Sequence, residues 1–185
     1  MSQVESLIEN YRRFVAIPWQ QNLAGVEKVW FVVYDPNQER RIRLRLEEFR
    51  IATKEAGKEW QLVDLTDSFA EWMAGHRYRE AYFESPEDLD LALHNYAEAV
   101  AEQLRETLTA SHVDQETVVA VLGVATLFGL TRASGLIEKV TDDIRGRMLV
   151  FFPGHHEGSN YRLLDARDGW NYLAIPITAQ QTGVL

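Results

Sequence analysis

Two spacings of apolar residues alternate along this chain. Val4, Leu7, Ile8, Tyr11, Phe14 and Val15 recur at the helical period and predict a helix over residues 3–16. Ser2 and Glu5 suit a capping box at its start, and Pro18 closes it because the residue before a proline is pushed out of helical geometry. Val29–Tyr34 is then an almost unbroken apolar run, the pattern of a strand buried on both faces. A helix is predicted over 36–56, with Pro36 in its first turn and Ile42, Leu46 and Phe49 facing inward. A second strand follows at 60–65. Thr66, Asp67 and Ser68 are candidate N-caps for a short helix near 69–75, Ser68 pairing with Glu71.

Residues 76–84 read as an irregular connection. Ser85-Pro86-Glu87-Asp88 is the strongest helix-start signal in the chain. Leu89, Leu93, Tyr96, Ala97, Val100, Leu104 and Leu108 carry one face from there to about residue 109. Thr117–Leu122 is a third strand, 123–130 a loop, and a helix runs from Thr131 or Arg132 to about 142. A fourth strand at 148–152 is expected to stop at Pro153-Gly154. Segments 161–164 and 172–176 are expected to close the sheet as an antiparallel pair turned through Asp168-Gly169, and 178–185 to form a polar tail. Strands alternating with helices predict one α/β domain over 1–185: a three-layer sandwich, its sheet mainly parallel with an antiparallel C-terminal edge and helices on both faces.

Composition narrows the function classes. With 185 residues the chain can bury a full core, and the absence of cysteine removes disulfides, thiolate metal sites and cysteine nucleophiles. Neither a secretory leader pattern nor a run long enough to span a bilayer is visible, so a bacterial-type cytoplasm is the expected compartment. A formal net charge of −9 disfavours nonspecific nucleic-acid binding and suits protein partners with a basic face. The local exception is Arg40, Arg41, Arg43, Arg45 and Arg50, read mainly as a solvated face balanced by Glu39, Glu47 and Glu48, with docking of an acidic partner as the other reading.

Chemistry is expected at the strand ends, where open α/β sheets bind ligands. The loop at 123–135 lies between a strand and a helix, where phosphate-binding loops occur. Its glycines, Gly123 and Gly129, are six apart, but Leu130 stands where a Walker lysine would be, and GxGxxG is missing. Asp35, Gly123, Gly129 and Arg132 remain as a possible ligand loop, with Arg132 to contact phosphate. Asp35, Asp64 and Asp67 could gather along the carboxyl edge around a metal, or serve as caps. His155-His156-Glu157 invites a metal reading, but adjacent residues seldom aim at one ion and no HExxH accompanies them. Ser134 has no GxSxG context and no evident histidine partner. The residues alone therefore predict no enzyme, no cofactor and no metal. Arg77, Tyr78, Arg79, Tyr82 and Phe83 combine the aromatic and arginine side chains that anchor protein interfaces, packing under a loop being the alternative.

Several stretches, WFVVYDPNQERRIRLRLEEF, WQLVDLTDSFAEWM, YFESPEDLD, VVAVLGVATLFGLTRASGLI and FFPGHHEGSNYRLLDARDGWNYLAIPI, together resemble the BrxB family of bacteriophage-exclusion (BREX) defence systems, over roughly residues 5–178. YFESPEDLD and the last stretch are the most specific, and neither is a catalytic motif. His155 and His156 depart from the acidic or aromatic residues expected there in relatives. BREX systems block phage replication and usually methylate host DNA. The resemblance implies a required small component without assigned enzymatic activity. It also implies a binding partner in PglZ, the alkaline-phosphatase-like protein of the same systems, with other BREX components as further partners; no membrane partner is expected from the absence of a long apolar run. It supplies no catalytic residues.

Overall fold

The computed structural model describes residues 1–166 and 169–180 as a mixed α/β fold built on a mixed sheet of seven strands. Helix α1 (Gln3–Val15) opens with the expected reciprocal cap: Glu5 N–H donates to Ser2 Oγ at 3.3 Å, and Ser2 N–H to Glu5 Oε2 at 2.7 Å. Strand β1 (Val29–Tyr34) is buried along its whole length, as its apolar run predicts. Where one helix was expected over 36–56, a 3₁₀ turn (Pro36–Gln38) precedes two helices, α2 (Glu39–Leu44) and α3 (Leu46–Glu55). Arg45 breaks them at φ −111°, ψ 14°. Its guanidinium pairs with Glu48 in the first turn of α3 through bonds of 2.6 and 2.8 Å, an i,i+3 contact that steadies the start of α3.

Strand β2 (Glu59–Asp64) leads to α4 (Ser68–Ala74). Asp67, one of the expected candidates, occupies the N-cap, though without a side-chain bond, and the expected Ser68–Glu71 box fails, Ser68 Oγ meeting Tyr96 OH at 2.9 Å instead. Residues 79–84 form a short helix, α5 (Arg79–Glu84), where an irregular connection was expected. The helix predicted from Ser85 begins as a 3₁₀ segment (Pro86–Leu91) and becomes α6 only at Leu93–Leu108. Leu91 lies in solvent and Leu89 is only half-buried, so the first turns lack the packing that stabilises most protein helices.

Strand β3 (Thr117–Leu122), helix α7 (Ala133–Val140) and strand β4 (Arg147–Glu157) follow, then β5 (Asn160–Leu163), β6 (Trp170–Asn171) and β7 (Ile175–Ile177). Five strands pair in parallel in the order β2-β3-β4-β1-β7. The fourth strand does not stop at Pro153-Gly154. Pro153 stands opposite Tyr34, the last residue of β1, where a missing N–H is tolerated. Gly154 then turns the strand toward β5, and a Cβ there would lie 2.1 Å from Arg162 O. The remainder of β4 pairs antiparallel with β5, which pairs antiparallel with β6. The expected closing pair is corrected accordingly. Trp170 sits opposite Tyr161, whereas Ile175–Ile177 leaves that hairpin and adds to β1 in parallel. The Asp168 half of the predicted turn and residues 181–185 of the tail lie outside the described residues.

Alternate strand residues feed two cores. Val29, Phe31, Val33, Met148, Val150 and Phe152 pack with apolar residues of α6 and α7, while Trp30, Val32, Tyr34, Leu149 and Phe151 pack with those of α1, α2 and α3. Phe31 stacks on Phe152 at 5.1 Å and meets Tyr161 edge-on at 4.6 Å. Tyr161 OH also donates to Ala174 O at 2.6 Å, so one side chain anchors the β5–β6 hairpin to the sheet.

Candidate functional site

The carboxyl ends of β1, β2 and β3 meet where α/β folds usually bind ligands. Here the chain's own side chains fill the position. Arg43, from α2, donates through Nε to Glu39 Oε1 at 2.7 Å, through Nη1 to Asp64 Oδ2 at 3.3 Å and through Nη2 to Thr66 Oγ1 at 2.8 Å. The buried Tyr34 hydroxyl donates to Glu39. Thr66 donates its hydroxyl and, at 3.0 Å, its backbone N–H to Asp64 Oδ1. Burial opposes ionisation of Asp64, but the bonds from Thr66 and Arg43 outweigh it and hold the carboxyl below its ordinary range. Burial first, and the neighbouring Glu39 charge second, push the Tyr34 phenol far up, so it stays protonated and donating. Gly123 closes the floor of this cluster. Its φ is +84°, and a Cβ would fall 2.7 Å from Thr66 N. The assembly ties three strand ends together with opposed charges, and both anions and the cation are already engaged. Sequence reasoning flagged Asp64 and Gly123 but counted Arg43 among surface charges. The available signal was the Glu39–Arg43 spacing of four, which places both on one helix face.

The remaining expected residues fall elsewhere. Asp35 accepts from Asn37 N–H at 2.8 Å and caps the 3₁₀ turn after β1. Asp67 is the helix-cap residue of α4, with its carboxylate unbonded among the described residues. His155 and His156 alternate along β4. His155, Glu157, Asn160 and Arg162 line one shallow cavity of about 240 Å³, whereas the His156 ring packs on Tyr161 at 4.5 Å, and burial pushes its imidazole down. Among the described residues, no three His, Asp or Glu side chains group as metal ligands. Most of the arginine cluster is internally balanced. Arg45 pairs with Glu48 and Glu5, and Arg50 with Glu47, while Arg41 reaches Gln38 at 3.4 Å.

Gly129 and Arg132 line a cavity of about 330 Å³ with Phe128, Thr131, Ser134 and Trp170, between the β3–α7 loop and the β5–β6 hairpin. Asp35 and Gly123 are not among its lining residues, so the four-residue ligand loop divides into two places. The Trp170 indole N–H is buried without a hydrogen-bond partner among the described residues.

Residues 76–91 form an appendage beside α4 and α6. His76 packs between Trp72 at 4.8 Å and Tyr82 at 5.1 Å, and Arg79 Nη1 donates to Ala74 O at 2.6 Å. Tyr82 and Arg79 therefore hold the segment in place. Neither α5 nor the 3₁₀ segment Pro86–Leu91 contributes a buried residue. Tyr78 is 54% exposed, with Arg77 over its ring at 5.3 Å, Phe83 is 65% exposed and Leu91 88%. Among the described residues, no helix is long and apolar enough to cross a membrane. Comparison with family models, with curated proteins and with solved structures returns no match to this chain.

Proposed function

We propose that this chain is a non-enzymatic adaptor of a BREX phage-defence complex. In this reading it works in the cytoplasm and binds the PglZ phosphatase-like component through residues 77–91. The observation that carries the reading is the appendage, where large apolar side chains stand in solvent beside arginine on a segment that buries none of its own helical residues. Exposed aromatics beside arginine are the composition of interface anchors. The self-satisfied cluster at the strand ends supports a scaffold, because the usual reaction crevice is spent on tying strands together. The two cores support a three-layer arrangement of sheet and helices. The internal pairing of the arginine cluster supports protein, not nucleic acid, as the partner. Purification of this chain with the PglZ protein of the same operon, followed by mass analysis of the eluted complex, is expected to give a stoichiometric assembly. Tyr78→Ala and Phe83→Ala are each expected to weaken it by about tenfold or more, with unchanged thermal stability. No complex with the unaltered chain would remove the adaptor reading; a complex indifferent to both changes would move the interface elsewhere.

The cavity beside Arg132 favours a second reading, a degenerate nucleotide- or phosphate-binding regulatory domain. Titration calorimetry with ATP, GTP and dinucleotides tests it. Heat lost in Arg132→Ala supports that reading, and no heat at millimolar ligand eliminates it.

A further inference from the structure

At the opposite, amino-terminal edge of the sheet, Arg147 is a buried cation without a counter-ion. It is 5% exposed, and it forms no ion pair among the described residues. Two of its five N–H donors reach backbone carbonyls: Nη1 to Gly146 O and Nη2 to Gln20 O, both at 2.9 Å. Its guanidinium lies 4.8 Å from the centre of the Trp19 ring and 5.8 Å from that of Trp30, and the two indoles meet edge-on at 5.5 Å. The Lys58 ammonium lies over the Trp19 ring at 4.3 Å. Glu116 is the carboxylate whose field reaches Arg147, but Lys58 already engages it. Burial therefore pushes the Arg147 guanidinium down from its ordinary value. Buried charges are ordinarily paired, because an isolated one is costly.

Arg147 opens onto a cavity of about 120 Å³ walled by Phe14, Ile17, Trp19, Leu23, Trp30 and Ile175. Glu27 stands at its exposed rim, where its carboxylate caps Ala24 N–H at 2.9 Å and forms no pair with Arg147. The volume is near the ~150 Å³ that accommodates a benzene ring, or about six non-hydrogen atoms. We propose that this cavity binds a small carboxylate carrying a compact apolar body, the carboxylate completing the charge of Arg147 and the body packing between Trp19, Trp30 and Leu23. The cleft is open on one side, where Ile17 and Ile175 are 44% and 39% exposed, and Arg147 is the cation among its lining residues.

The test is an NMR titration of the full chain with isobutyrate, following the indole N–H signals of Trp19 and Trp30 and the Arg147 Nε–H. Saturable shifts in the millimolar range are expected, with the neutral isostere isobutyramide at least about tenfold weaker. Leu23→Phe fills the cavity from a half-buried loop position and leaves Arg147 in place; it should abolish the shifts while keeping the melting temperature. N-acetylvaline distinguishes two sources of the same chemistry. Binding like that of isobutyrate extends the site to peptide C-termini, and exclusion restricts it to free acids. Equal shifts with isobutyramide, unchanged titration in Leu23→Phe, or no saturable shift at all would overturn the proposal and leave Arg147 as a clamp on the loop around Gln20.

Discussion

Asp64 is the residue on which the strand-end cluster turns, because it alone accepts from both Arg43 and Thr66. Its carboxyl is depressed in the folded chain, so the unfolded chain takes up the proton first. The stability it contributes is then full above the ordinary carboxyl value of 3.8 and is lost as pH falls through the lower folded value. Urea unfolding between neutral pH and pH 2.5 should show this acid limb, and Asp64→Asn should flatten it while lowering stability at neutral pH by about 1 kcal/mol. An unchanged acid limb would assign the loss to other carboxylates. Gly123→Ala should cost about 2 kcal/mol or more in the same assay, since it meets both a positive φ and Thr66 N at 2.7 Å. This part of the site was half legible in the sequence. Strand ends are visible as apolar runs, so Asp35, Asp64 and Gly123 stand out. Arg43 does not, because its partner Asp64 is 21 residues away and only the crossing of α2 over the sheet brings them together. Arg147 was silent for a similar reason: its neighbours Trp19 and Trp30 belong to a different part of the chain.

Among the elements, β4 carries the most consequence, since one strand belongs to a parallel ladder and then to an antiparallel one. Gly154→Ala places a methyl group against Arg162 O and should detach the hairpin. The expected result is a loss of about 2 kcal/mol or more, with the near-ultraviolet dichroism of the Phe31–Tyr161 cluster weakened. Native-like dichroism with unchanged stability would show that the hairpin tolerates the shift. Strand cores at β1, β3 and β4 were readable because residues buried on both faces leave continuous apolar runs. Boundaries set at a single residue were not. The break lies in the backbone of one residue, Arg45 at φ −111°, ψ 14°, and Ser85, despite an ideal start signature, stands at φ −133°, ψ 78° and makes no cap bond. The continuation through Pro153-Gly154 was hidden because that dipeptide reads as a stop unless the neighbouring strand ends at the same level.

At the scale of the whole molecule, the appendage is, among the described residues, the longest stretch without a buried side chain, so it should open early. Limited trypsin digestion is expected to cut at Arg77 or Arg79 before any site in the sheet; an initial cut elsewhere would contradict the ranking. The sheet order has a different outcome for the nascent chain. The fully buried strand VWFVVY has its two neighbours in β4 and β7, and Trp30 stands opposite Leu149 and Ile175. Local hairpins cannot shelter it, and at elongation rates of roughly 5–20 residues per second it waits on the order of ten seconds for its first partner to leave the ribosome. During that interval α1 can cover one face of β1 through Phe14 and Trp30, but both backbone edges and the Phe31 face are open to other chains until β4, in the last fifth of the polypeptide, arrives.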